Sequence, residues 1–293
     1  MDNKINIVNK VIKVIKKNGI KKYINNFDFK FDFDKEDDDD KFYKKLNIFV
    51  KKYHHHTFFM KTRIINNEII ISHKNSKIWR KLPDFELKNN IGIIKFYKFI
   101  MISCDNSNPI DKKDKDKIVE VVTNILDDWL NNKKIKGLII DFTEHSGGAF
   151  APIALCFGKY FDTLFRFYQN TSTKWLTVVK DNIVDIKYKS NNNYFPVPIA
   201  IIIDKHTASS GEIGASMFYN KPNIKFFGQP TCGALSINQG YKINKYLEIM
   251  LTVTLLQTTD KKIHYDEKLY PDVVTNNPIK DAIKWITNLK TIK

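Results

Sequence analysis

The sequence predicts an α/β protein, a core of buried strands alternating with helices, preceded by a small helical region at residues 1–52. Three observations carry this. Gly137–Asp141 and Val197–Ile203 are short, continuously apolar runs, the composition of strands buried on both faces of a sheet. Each run leads into a glycine- or serine-bearing turn and then into apolar residues at helical spacing. A further helical pattern, Ile118, Val122, Ile125, Leu126 and Trp129, precedes the first run, and such alternation marks a sheet covered by helices.

Taken in order, Ile5, Val8, Ile12 and Ile15 recur at spacings of three and four. They predict an amphipathic helix over residues 3–18, stopped by Gly19. Phe27 to Phe33 alternates apolar and charged residues. That pattern fits a strand with one buried face, or an extended arm anchored by its aromatics. Glu36–Asp40 reads as a solvated loop or as the negative start of a short helix over 41–52, and it lacks a Ca²⁺-loop pattern. Residues 62–103 are strand-rich, at 63–65, 68–72 and 92–103. Lys115–Asn131 is helical. The polar, Asn-rich segment 170–195 reads as an exposed excursion or lid, and neither an internal repeat nor a Pro/Gly/Ser-rich linker is found.

Composition bounds the function classes. The chain has 293 residues, 43% of them hydrophobic and 13% aromatic, which excludes a wholly disordered protein. No apolar run reaches the ~18 residues of a membrane-spanning helix, and the first residues lack the apolar core of a secretory signal. A formal charge of +16 invites a nucleic-acid reading. However, the lysines are scattered and arginine, whose planar fork fits phosphate, is nearly absent. The charge is therefore read as compositional. Cys104, Cys156 and Cys232 suit neither a disulfide framework nor a zinc site, so a reducing, intracellular compartment is the default expectation.

Two strand–turn–helix units carry the chemistry. In the first, Leu138-Ile-Ile-Asp-Phe-Thr-Glu-His-Ser-Gly-Gly148 ends a strand on a glycine pair before a helix. Glycines there allow a sharp turn and leave amides free to hold an oxyanion; a simple tight turn is the plainer account. In the second, Ile199–Asp204 leads through Lys-His-Thr-Ala-Ser-Ser-Gly-Glu212 into a helix. Ser209-x-x-Glu212 satisfies a capping box. It also sets Ser209 or Ser210 on a strand-to-helix turn, the physical logic of a nucleophile elbow, although Gly-x-Ser-x-Gly is absent.

With Gly228-Gln-Pro-Thr-Cys-Gly233 and Tyr270-Pro-Asp-Val273, these units resemble, in order and spacing across residues 137–274, the S41 family of serine peptidases. The resemblance implies a ClpP/crotonase-like α/β core, with Ser209 at the nucleophile's place. The processing peptidases of that family carry a Lys base directly after the second Gly of Gly-x-x-Thr-x-Gly; here that position is Ala234. The tricorn and nisin-resistance branches use a His from a His-Ser/Thr-Phe-Phe segment, which His54-His-His-Thr-Phe-Phe59 resembles, with His56 at the matching place. His145 stands where the family commonly has Asn and is the next candidate; His206 is near Ser209 in sequence only. Glu267, shortly before Pro271, matches the Glu that orients the base in tricorn-like members, its alternative being an exposed Glu in a charged turn. Residues 60–90 are too few for the PDZ domain of the processing peptidases, so the expected organisation is a helical region, 1–52, and a peptidase core, 53–293.

The expectation is a PDZ-less serine endopeptidase acting on peptides or proteins through Ser209, His56 and Glu267, with the Gly148 and Ser210 amides as oxyanion hole and His145 as an active-site neighbour. It requires neither metal nor cofactor. A catalytically silent, peptide-binding member of the same family and a basic nucleic-acid binder are the alternatives. His73 and His264 read as surface histidines, and the sequence leaves oligomeric state open.

Overall fold

A computed structural model describes residues 4–34, 36–65, 68–71, 81–99, 109–160, 163–169, 175–179, 195–257, 263–264 and 268–289. Its helices and strands begin with α1 (Lys4–Asn18), α2 (Lys21–Asn25), α3 (Asp39–Tyr53), β1 (Phe58–Ile65), β2 (Glu68–Ile71), β3 (Asp84–Lys88) and β4 (Ile91–Lys95). There follow α4 (Pro109–Asn131), β5 (Gly137–Asp141), α5 (Ala151–Phe157), β6 (Thr163–Gln169), β7 (Trp175–Val179) and β8 (Ile199–Ile203). The chain continues through α6 (Ser210–Ser216), β9 (Ile224–Gly228), β10 (Ser236–Asn244), β11 (Leu247–Gln257), β12 (Ile263–His264), β13 (Val273–Val274) and α7 (Pro278–Asn288). The class is α/β, as expected. No helix among the described residues is long and apolar enough to cross a membrane.

The chain divides into two compact units. The first comprises Met1–Lys74, Tyr168–Leu176 and Ser236–Leu255. Here α1 buries Ile7, Val8, Val11 and Ile15, and α3 buries Phe42, Leu46, Phe49, Val50 and Tyr53. Both stripes recur every three or four residues, one face of a helix. They join one apolar cluster with Ile243, Leu247, Ile249, Leu251 and Val253 of β10 and β11. These two strands pair antiparallel, and β1 pairs antiparallel with β11 on its other side, Phe58 opposite Met250. Phe27–Phe33 is the aromatic-anchored arm: Phe27 is buried, Phe29, Phe31 and Phe33 pack on the cluster, and the charged residues between them are exposed. Glu36–Asp40 does start a helix, with Asp38 Oδ1 accepting from Lys41 N at 2.7 Å. Asp37 departs from the solvated-loop reading. It is buried, and hydrogen bonds from the ammonium groups of Lys41 and Lys45, each 2.6 Å away, hold its carboxyl at about 2.

The second unit comprises Asn75–Phe167, Thr177–Leu235 and Leu256–Lys293. Its sheet runs β13-β9-β8-β5-β4-β3, parallel except that β3 pairs antiparallel with β4. Every residue of β5 and β8 is buried. On one face, Ile91, Ile93, Ile139, Ala200, Ile202 and Phe227 pack with Ala282 and Ile286 of α7. On the other, the Trp129 ring of α4 lies so close over Gly92 that a β-carbon would come within 2.3 Å of it. Side chains alternate along a strand, so α7 and α4 cover opposite faces. The strand expected over 92–103 stops at Lys95. In the segment 170–195 the described part includes β7, and 170–174 and 180–194 lie outside the described residues.

Candidate active site

The first turn of the second unit begins where β5 ends. Asp141 is buried beside the Lys95 ammonium at 3.6 Å and accepts from Thr143 N at 2.8 Å. Gly147 and Gly148 then adopt φ +127° and +112°, backbone that a side chain strongly disfavours. At Gly148 space is lacking as well: a β-carbon would stand 2.2 Å from Phe99 O. Ala149 N donates to that same carbonyl at 2.7 Å, which fixes the turn before α5.

The second turn follows β8. Asp204 Oδ1 accepts from the amides of His206 at 3.0 Å and Thr207 at 2.8 Å. The buried Thr207 hydroxyl donates to Phe142 O at 2.9 Å, and Ala208 N donates to His145 O at 3.0 Å. The two turns are thus tied to each other. Ser209 sits at the head of α6 with φ +53° and ψ −119°. A non-glycine residue there stores roughly 1–3 kcal/mol of strain, sustained only by surrounding contacts. A β-carbon built on Gly147 would lie 3.3 Å from Ser209 Cβ and 3.6 Å from its Oγ. Gly147 therefore faces the serine side chain directly, and Gly148 faces the Phe99 backbone. Neither Gly148 N nor Ser210 N has a hydrogen-bond partner among the described residues.

The constraint that holds Ser209 comes from Glu212. Its fully buried carboxylate accepts from Ser209 N at 3.0 Å, Thr231 Oγ1 at 2.5 Å, Gly233 N at 2.8 Å and Ala234 N at 2.7 Å. Burial pushes this carboxyl up, and the four donors oppose that shift. Thr231 continues the chain, its Oγ1 accepting from Leu269 N at 2.8 Å. Asp272 Oδ2 accepts from Phe226 N at 2.7 Å, tying the Pro-Asp segment to β9. By sequence alone Glu212 is the acid of a capping box and the last residue of the Thr207–Glu212 stretch that carries the family resemblance. The signal for its wider role was the Thr-x-Gly pattern at 231–233, whose donors converge on it.

His145 is buried, packed against Gly211, where a β-carbon would stand 2.8 Å from its Nδ1. Neither ring nitrogen finds a hydrogen-bond partner among the described residues. Burial lowers its pKa to about 4, leaving a neutral imidazole at pH 7. The buried Ser210 hydroxyl is likewise without a partner among those residues. His206 is exposed.

His56 belongs to the first unit. Its backbone is pinned at both ends: the amide donates to His54 Nδ1 at 3.1 Å, and the carbonyl accepts from Asn238 Nδ2 at 2.7 Å. Its Nδ1 lies 2.8 Å from Ser236 Oγ. His54 is buried, within 3.2 Å of Thr252 Oγ1, and stacks on the exposed His55. No group of three or more His, Cys, Asp or Glu able to hold a metal ion occurs among the described residues. Glu267, His73 and Cys104 lie outside the described residues, and His264 is described only as part of β12.

Residues 90–275, more than half of the chain, match peptidase family S41. The nisin-resistance protein of Lactococcus lactis subsp. lactis is 28% identical over 170 residues, 56% of this chain and 54% of that protein. The chain thus spans about half the length of the curated relative it matches. Among solved structures, a lipoprotein from Streptococcus agalactiae shares the fold with a TM-score of 0.72 at 20% identity, over 98% of this chain and 97% of its own. The photosystem II D1 C-terminal processing protease aligns with a TM-score of 0.47 at 16% identity, over 67% of this chain and 46% of its own.

Proposed function

The chain belongs to peptidase family S41, and from that premise we propose that it is a serine endopeptidase whose nucleophile is Ser209. The observation that carries this reading is the strained backbone of Ser209 at the head of α6, with the Gly147–Gly148 turn against its side chain. Strain of this kind gathers at working sites, and a plain helix cap does not need it.

In the proposed mechanism Ser209 Oγ attacks the scissile carbonyl carbon. His56, matched to the base by the His-Thr-Phe-Phe segment, takes the hydroxyl proton and returns it to the leaving amine. The amides of Gly148 and Ser210 hold the oxyanion. The Ser209 amide is not a third donor, since it is engaged by Glu212 at 3.0 Å. Water then attacks the acyl-enzyme by the reverse sequence, releasing the acid product. Glu267 is the proposed orienting acid, and the substrates are peptides or proteins.

The test is labelling by a serine-directed phosphonate together with hydrolysis of a peptide library. Wild-type protein should label and cleave; Ser209→Ala should do neither, and His56→Ala should lose hydrolysis about 10³-fold or more. Undiminished activity in either variant sinks its assignment. Peptide binding by wild-type protein with no labelling would replace this reading by the catalytically silent one.

A further inference from the structure

We propose that Ser236 is a positioning residue of His56, holding its ring as the Nδ1–H tautomer; as a statement about catalysis this rests on the endopeptidase reading. A histidine that serves as general base through Nε2 must keep that nitrogen unprotonated, so its single ring proton has to reside on Nδ1 and find an acceptor there. Ser236 Oγ is the group at that place, 2.8 Å from Nδ1.

The surroundings make this contact a directed one. Ser236 is 1% exposed and opens β10, where its backbone pairs with Leu255 of β11. The hydroxyl therefore comes from a rigid element rather than a loop. The backbone of His56 is held by its amide bond to His54 Nδ1 and its carbonyl bond from Asn238 Nδ2. Asn238 is itself fixed by Thr252 Oγ1, which donates to its Oδ1 at 2.7 Å. Thr252 N in turn donates to Thr57 Oγ1 at 3.2 Å, beside the histidine in sequence. With the main chain pinned, the Nδ1–Oγ contact acts on the freedom that remains, the rotation of the imidazole.

A hydroxyl can accept the Nδ1 proton in either charge state of the ring. When Nε2 takes up a proton, both nitrogens become donors and the Nδ1–H bond to Ser236 is retained, so the ring need not turn during the cycle. No sequence pattern announces this residue. Ser236 follows two positions after Ala234, where the processing peptidases carry their lysine, and belongs to no motif.

The test reads the tautomer directly, by nitrogen NMR of full-length protein with ¹⁵N-labelled histidine rings, the His56 signals being assigned through their loss in His56→Ala. In wild-type protein the neutral ring should carry its proton on Nδ1. In Ser236→Ala it should shift towards the Nε2–H form, with kcat falling about 10- to 100-fold and KM nearly constant. Ser236→Thr, which keeps the hydroxyl, should restore both. A wild-type ring protonated on Nε2, or a tautomer and kcat unmoved in Ser236→Ala, overturns the proposal. The two readings fail separately. Cleavage abolished in Ser209→Ala but full in Ser236→Ala removes the positioning role and keeps the peptidase; the tautomer shift without any cleavage by wild-type protein keeps the Ser236–His56 arrangement and removes the peptidase.

Discussion

The Glu212 carboxylate accepts the Ser209 amide at 3.0 Å while its two oxygens accept three further donors from residues 231–234. One buried acid thus joins two motifs that are separate in the chain, and it holds the serine in a backbone conformation that costs energy by itself. It also engages the Ser209 N–H, which leaves Gly148 and Ser210 as the amides available at this turn.

Replacing Glu212 by Gln should destabilise the second unit by about 3 kcal/mol, because each carboxylate oxygen serves two donors and an amide would set N–H against N–H. Thr231→Val should cost somewhat less, leaving Leu269 N without its acceptor, and Thr231→Ser should remain close to wild type. Urea unfolding of the three variants measures this order. A stable Glu212→Gln protein with wild-type labelling would show that the carboxylate does not hold the turn.

Gly148→Ala should be damaging in two ways. The added carbon would stand 2.2 Å from Phe99 O at φ +112°, costing on the order of 2 kcal/mol. The turn would then move, displacing the proposed oxyanion donor and slowing phosphonate labelling about 100-fold. Stopped-time labelling followed by mass spectrometry gives the rate, and wild-type kinetics would remove Gly148 from the site.

His145 predicts a pH dependence. Its folded-state pKa is lowered by burial to about 4, against ~6.5 for an unfolded histidine. The unfolded chain therefore takes the proton first as pH falls. Stability should decline from about pH 6.5 down to about pH 4, by on the order of 3 kcal/mol, and stay level with respect to this group above and below that window. His145→Asn, the residue common in the family at this place, should lose that part of the slope. Parallel pH–stability curves for the two proteins would contradict the assignment.

Tyr53 tests the first unit. Its hydroxyl accepts from Ile20 N at 2.6 Å and donates to Thr252 O at 2.9 Å, and burial pushes its ionisation far above the ordinary tyrosine range. Tyr53→Phe keeps the ring in the cluster and strands both partners. A loss of about 1–3 kcal/mol is expected, read as a lower urea midpoint with an unchanged slope; a wild-type midpoint would show that water satisfies these groups.

Much of the core was legible because its signals are local. β5 and β8 announce themselves by short apolar runs, Leu138–Ile140 and Ile199–Ile203, and α1 and α4 by apolar spacing, since burial on two faces or one stripe dictates composition directly. β3 leaves no such signal in the sequence, because an edge strand with exposed, charged residues carries no such demand. The Phe27–Phe33 alternation was ambiguous because arms and strands share the same period, and only its packing on α3 settled which it is.

The sequence by itself determined the buried strands, the serine and glycine turns that follow them, and the family these motifs denote. Tertiary structure alone decided which side chains act together. The left-handed backbone of Ser209 is nowhere in its residue type, because serine has no preference for it and the contacts that enforce it come from Glu212 and the glycine turn. Three of the four donors on Glu212 come from residues about twenty positions away, and the hydroxyl on His56 from 180 positions away. Local pattern reports what a residue must bury, whereas hydrogen bonds between distant segments exist only once the chain has closed on itself.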